Sequence, residues 1–254
     1  MSDIELPGAP APRSMATSDG TGSGLPAQAP PPAFTSSRGT LDRGKILAAA
    51  IQLIDEEGLR GFTMRSLGAR LGVEAMALYR YVYGRDALLD GIVETLVDEL
   101  YSDPDVQYTA PHWQDYLVRL AHGVRHIALT HPEVFPLIAT RPPAAPWLRP
   151  PLRSLRWMES FLSTMRSCGF SDEAAVAAYR GFSSFLLGHL LLEVSALGAD
   201  TAPVEQASPD AAPRTDLSEY PLLKELEPVL SQNRSAEEFE KSLESLLDRL
   251  EAQT

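Results

Sequence analysis

The order of apolar and polar positions divides this chain into helical stretches separated by runs without a pattern. Between Asp42 and Glu57, Ile46, Ala50, Leu53 and Ile54 recur at helical spacing and Gly58 follows, which predicts an amphipathic helix and its stop. The run from Thr63 to Arg85, TMRSLGARLGVEAMALYRYVYGR, reads as two short helices joined by a tight turn. Thr63 is a good N-cap, Phe62 and Leu67 are spaced as a hydrophobic staple, and Leu67 and Leu71 share one face. Gly72 stands where the chain must leave the helix, a place suited to positive φ, and Val73 is expected to bury the turn. The second helix is expected over Glu74 to Tyr81, with Ala77 and Leu78 inward and Ala75 small enough for close backbone approach. Three helices of these lengths predict a compact helix-turn-helix head whose last helix suits a DNA major groove.

The rest of the chain predicts an all-α body. Leu88, Leu89, Ile92, Val93, Leu96, Val97, Leu100 and Tyr101 share one face of a long helix ending at Pro104, a lever between head and body. Trp113, Tyr116, Leu117, Leu120, Val124 and Ile127 make the next stripe, which ends before Pro132. Arg141 to Pro151 holds five prolines and is expected to be a loop or broken helix. Leu152 to Arg166 is a further amphipathic helix, closed by Gly169-Phe170-Ser171, which also caps the next. Asp172 to Leu197 is apolar on more than one face. After a loop over 199–216, Pro221 to Leu230 predicts a short helix, and Ser235 with Glu238 a capping box opening the last one. The helices at 172–197 and 235–250 carry more apolar surface than one small body buries, so a two-fold homodimer is expected. Such a dimer presents two recognition helices to successive major grooves, which predicts a near-palindromic operator.

Composition refines this picture. Residues 1–38 are rich in Pro, Ala, Gly and Ser and are expected to be disordered, followed by a head over 39–86 and a ligand-binding and dimerisation body over 87–254. The net charge of −12 has the wrong sign for a general nucleic-acid binder. The sign is local: Arg38, Arg43, Lys45, Arg60, Arg65, Arg70, Arg80 and Arg85 crowd the head while acids dominate elsewhere. The single Cys168 excludes an internal disulfide framework, fits a reducing cytosol, and is expected to be a small core residue. No basic region followed by an apolar run opens the chain, and no stretch is expected to span a bilayer, so a cytoplasmic protein away from membranes is expected.

The head resembles that of the tetracycline-repressor (TetR) family of transcriptional regulators. The matching residues are Ala49-Ala50, Gly58 and Gly61-Phe62-Thr63, Leu67, Leu71-Gly72-Val73, Leu78-Tyr79, and Ala87-Leu88-Leu89-Asp90. The resemblance implies a DNA-bound repressor that a small-molecule effector releases. It implies that Tyr79 and Arg85 contact phosphates, that Arg65 reads a base, and that Glu74, Ala75, Met76, Ala77, Arg80 and Tyr81 belong to the recognition helix, with Thr63 beside them. The body is similar to the ligand domain of the tetracycline repressors through Trp113-Gln114-Asp115, Thr140-Arg141-Pro142, Gly169-Phe170-Ser171 and the final helix. Carried across, the pocket is lined by Tyr101, Leu120, Val124, Leu137, Thr140, Phe161, Val176 and Tyr179, with Trp157 and Met165 adding area. The repressor's drug-contacting His and Asn fall on Tyr101 and Leu120, its magnesium-ligating His on Leu137 and a Gln on Phe161. An apolar side chain cannot ligate a hard cation, so no metal or other cofactor is expected. The expected effector is apolar or aromatic, with Tyr101, Thr140 and Tyr179 as its polar contacts.

Two alternatives stand beside this reading. One is a DNA-binding regulator that answers to no ligand. The other is a helical metal-dependent enzyme using His122 and His126, which are four apart, although their setting beside Asp115 and Arg119 reads as a solvated face. His131 and His189 have no carboxylate pattern near them in the sequence, and no phosphate loop, nucleophile elbow or Cys-x-x-Cys is present, so no catalytic residue is named.

Overall fold

The computed structural model describes residues 41–102, 112–141, 154–201 and 218–252. The expected N-terminal extension with Arg38, the helix end at Pro104, the proline run after Arg141 and nearly all of the 199–216 loop lie outside the described residues. Among the described residues every regular element is a helix, as the apolar periodicity predicts. In chain order they are α1 (Arg43–Gly61), α2 (Met64–Leu71), α3 (Ala75–Leu78), α4 (Arg85–Ser102), α5 (Trp113–Thr130), α6 (Phe135–Thr140), α7 (Leu155–Ser167), α8 (Asp172–Ala196), α9 (Pro221–Leu230) and α10 (Ser235–Glu251).

Local chemistry explains the head. Asp42 caps α1 by accepting from Lys45 N at 2.8 Å, and Gly58, at φ 73°, kinks the helix where the sequence predicts a stop. Thr63 and Ser66 cap α2 reciprocally, side chain to backbone in both directions at 3.0 Å. Gly72 takes the left-handed conformation at φ 67°, and Val73 N donates to Gly68 O at 2.9 Å to close the turn. A Cβ on Gly68 would stand 2.8 Å from Val73 O and 3.1 Å from Ala75 N, so only glycine lets α3 cross so closely over α2. The second motif helix is shorter than the expected 74–81. Glu74 is its N-cap and regular helix ends at Leu78, after which Tyr81 N reaches back only to Leu78 O. Burial of Val82, 3% exposed, draws the chain inward here and ends the helix.

α4 joins head and body through one continuous core. Its Leu88, Leu89 and Ile92 pack with Ile46, Ile54, Phe62, Leu67 and Leu78, while Leu96 and Leu100 belong to the same cluster further along. α8 packs on α6, α7 and α10 as well as on α5. At its far end Arg125 on α5 donates to both carboxylate oxygens of Glu193, at 2.6 and 3.0 Å.

Several expectations are corrected. α6 was not expected: Phe135 to Ala139 are all buried, so no polar face betrays the helix. α7 starts at Leu155 rather than Leu152, because Ser154 caps it by accepting from Trp157 N. The capping box at Ser235 does not form; Arg234 is the N-cap, and Ser235 N donates instead to Asn233 Oδ1 at 3.2 Å. Cys168 is exposed, because it caps the end of α7 just before the Gly169 turn. α8, at 25 residues, is long and apolar enough by length and composition to cross a membrane, contrary to expectation, yet it packs against four helices. No residue of α9 is buried.

Candidate nucleic-acid interface and buried cavity

The expected DNA contacts lie on and around α2 and α3. Thr63, Arg65, Glu74, Met76, Tyr79, Arg80, Tyr81 and Arg85 are all exposed, and Ala75 and Ala77 are half-buried. Met76 is 76% exposed, an uncommon position for so apolar a side chain unless a surface covers it. Ion pairing sorts the basic cluster. Arg43 pairs with Glu94, Lys45 with Asp42, Arg60 with Asp200 and Arg70 with Glu56. Arg65 and Arg80 form no ion pair among the described residues. Arg85 donates to Leu59 O at 3.3 Å and lies over the Phe62 ring, which fixes it at the start of α4. Tyr83, 96% exposed, was not singled out from the sequence, although it continues the alternation of Tyr79 and Tyr81.

Besides the Arg43–Glu94 pair, further polar links among the described residues run from the head to the body. Arg141, just past α6, donates to Asp90 Oδ1 and to Asp86 O on α4, both at 2.9 Å. His131 lies against Asp55 on α1, a partner its sequence neighbourhood did not reveal. Arg60 reaches Asp200 beyond α8.

Inside the body is a small apolar cavity of about 30 Å³. Val93, Val97 and Leu100 of α4, Val124 and Ile127 of α5, Phe135 and Ile138 of α6, Trp157 of α7 with its N-cap Ser154, and Ser183, Leu186 and Leu187 of α8 line it. Of the expected pocket residues only Val124 and Trp157 reach it. Phe161 is packed solid against Tyr116, Tyr179 and Phe182. Tyr101 stands edge-on to Trp157 and donates to its carbonyl, and Leu120, Leu137 and Met165 are buried core. Val176 lines an outer groove with Glu159 and Arg166, and Thr140 is exposed, its hydroxyl given to Pro136 O. The α4 and α8 lining residues were missed because a stripe on a helix does not say which of its members face a void.

Burial pushes the hydroxyl of Tyr101 well above the usual tyrosine range, raises Tyr116, and pushes Tyr179 up to about 12 against the easing effect of Ser183 nearby. All three are therefore neutral at physiological pH. Among the described residues no group of three or more His, Cys, Asp or Glu is placed to hold a metal ion. His122 and His126 are exposed, and His122 rests against Phe239 and Glu240.

Known proteins share this arrangement. Residues 46–92 match the model of the bacterial regulatory proteins of the tetR family, and residues 108–254 match the tetracyclin repressor-like C-terminal domain. The chain belongs to the TetR family. It is thus a transcriptional regulator with a tetR-type DNA-binding head and a tetracyclin repressor-like C-terminal domain. The tetracycline repressor of class A from transposon 1721 of Escherichia coli is 31% identical over 170 residues, covering 66% of this chain and 75% of that protein. Among solved structures, a possible TetR family transcriptional regulator from Streptomyces coelicolor A3(2) aligns with TM-score 0.65 and 30% identity over 83% of this chain and 99% of its own. The ActR protein of Streptomyces coelicolor, solved in complex with actinorhodin, aligns with TM-score 0.62 and 25% identity over 84% and 98%. The relatives of this TetR-family chain are regulators of transcription.

Proposed function

We propose that this TetR-family regulator binds a near-palindromic operator as a homodimer in the cytoplasm and is released by a small, largely apolar or aromatic effector. The observation that carries the reading is the sorting of the basic cluster. Arg43, Lys45, Arg60 and Arg70 are paired with carboxylates, while among the described residues Arg65, Arg80 and Arg85 form no ion pair, in a motif that also exposes Met76, Tyr79 and Tyr81. Arg65 then reads a base, and Tyr79, Arg80 and Arg85 hold phosphates. Residues 39–86 act as the reading head, and 87–254 as the ligand and dimer body.

The dimer is supported by uncovered apolar surface. α9 exposes Leu222, Leu223, Leu226, Val229 and Leu230, and Leu192 on α8 is 76% exposed. A second copy would cover such surface across a two-fold axis. The apolar effector is supported by the cavity, whose lining carries no charged side chain. ActR, a similar protein solved in complex with actinorhodin, supports a small-molecule effector. Because three cavity residues belong to α4, an effector that widens the cavity moves the helix that begins at Arg85. A 100-fold preference for the non-DNA conformation corresponds to ~2.7 kcal/mol of coupling per site.

The test is selection of bound sequences from random duplex DNA with purified full-length protein. A near-palindromic consensus is expected. Salt-sensitive binding to all duplexes alike, with no enrichment, would overturn the reading.

A further inference from the structure

We propose that the cavity selects an uncharged, mostly apolar ligand bearing a hydrogen-bond-accepting oxygen, which Trp157 Nε1 and Ser183 Oγ hold. This rests on the effector-responsive reading above and names the chemistry of its ligand.

Trp157 is 3% exposed and Ser183 is fully buried, and among the described residues neither the indole N–H nor the hydroxyl has a well-formed hydrogen bond, although the Ser183 hydroxyl lies near enough to that of Tyr179 to ease its titration. Buried polar atoms are usually paired, and these two belong to residues that line one cavity. The third polar lining residue, Ser154, is already engaged: its hydroxyl accepts from Trp157 N at 3.2 Å and fixes the start of α7. An indole N–H donates and cannot accept, so Trp157 requires an acceptor; a serine hydroxyl serves either role. The remaining lining is aliphatic and aromatic, so an ionised ligand group would lose its hydration with no countercharge to replace it. A carbonyl or ether oxygen on an apolar frame satisfies every wall of the site.

The cavity, about 30 Å³, is far smaller than the roughly 150 Å³ of a cavity that admits benzene. Any organic ligand therefore displaces side chains as it enters, and the two orphan groups give it orientation once inside.

The test uses three probes of one frame: 1-indanone, indane and indane-1-carboxylate, titrated calorimetrically into the full chain. Indanone is expected to bind about five- to tenfold more tightly than indane, the effect of one neutral hydrogen bond. The carboxylate is expected to give no binding. Trp157→Phe should bring indanone and indane within twofold, roughly the limit of a lost preference, and Ser183→Ala should shrink the difference. Equal affinity of wild type for indanone and indane, a preference that survives both substitutions, or no binding of indanone overturns the proposal. If Trp157→Phe unfolds, Ser183→Ala decides alone, and an unchanged preference overturns it. The same samples are tested on the selected duplex. Intact operator binding with failed titrations overturns the ligand chemistry alone, whereas good titrations without any operator binding overturn the regulatory reading.

Discussion

His131 Nδ1 lies 2.7 Å from Asp55 Oδ2, so the residue that ends α5 is fastened to the first helix across 76 positions of sequence. The contact has a sign in pH. Burial raises the Asp55 carboxyl above its ordinary 3.8, the nearby Glu56 adds to this, and the hydrogen bond and charge of His131 oppose it. A carboxyl with a raised folded-state pKa holds its proton more tightly folded than unfolded. Its effect on stability is then lost as pH climbs from the ordinary value through the raised one. Melting temperatures of wild type and Asp55→Asn, taken between about pH 3.5 and 6, should diverge, with wild type losing ground as pH rises. Parallel curves would show that Asp55 titrates as if unfolded.

Arg65 and Arg85 should fail differently. Arg65→Ala is expected to cost ~1–3 kcal/mol on the selected operator and to relax preference at one base pair. Arg85→Ala should weaken binding to every duplex and lower the salt slope by about 1. Equal relative losses for Arg65→Ala on operator and random DNA, measured by fluorescence anisotropy across salt, would sink base reading by that residue. Arg85 also touches Leu59 O and Phe62, so its melting curve is recorded in parallel.

Gly68→Ala places a methyl 2.8 Å from Val73 O, where backbone on both sides resists movement. The cost expected is about 1–3 kcal/mol, that of overpacking, confined to the head. Operator binding should fall sharply while ligand titrations remain those of wild type. Loss of both together would mean that the motif and the body unfold as one unit.

Arg141 ties α6 to the first turns of α4 through Asp90 and the Asp86 carbonyl. Arg141→Ala is expected to leave effector affinity within about threefold, since it is not among the residues that line the apolar cavity, and to blunt effector-driven release of DNA by about tenfold, the middle of the usual coupling range. Release measured at saturating effector decides between them; unimpaired release would place the coupling elsewhere.

Most of the fold was legible because its helices are amphipathic. Asp42, Thr63, Gly72 and Ser171 mark helix ends by side-chain or backbone chemistry that acts within three or four residues, so the sequence displays them directly. α6 was hidden because Phe135–Ala139 are buried all round and leave no period to read. The DNA-facing positions were legible as a motif, but not which cations stay free, since Glu94 and Asp200 come from far along the chain. The cavity was less legible still. Leu120 shares a stripe with Val124, and Phe161 shares a helix with Trp157 one turn away, and only three-dimensional packing separates a wall from a filled core.

A cavity so much smaller than any organic molecule makes stiffness itself a dial on sensitivity. Each ligand must first push apart the side chains that line the cavity, Val93, Val97, Leu186 and Leu187 among them, so the concentration at which the regulator responds reflects the work of opening as well as the contacts made. Trimming a methyl from that lining would lower the threshold for many ligands at once, without altering a single polar contact. Sensitivity and selectivity are then separate properties of this molecule, held by different atoms, and selection acting on one leaves the other in place.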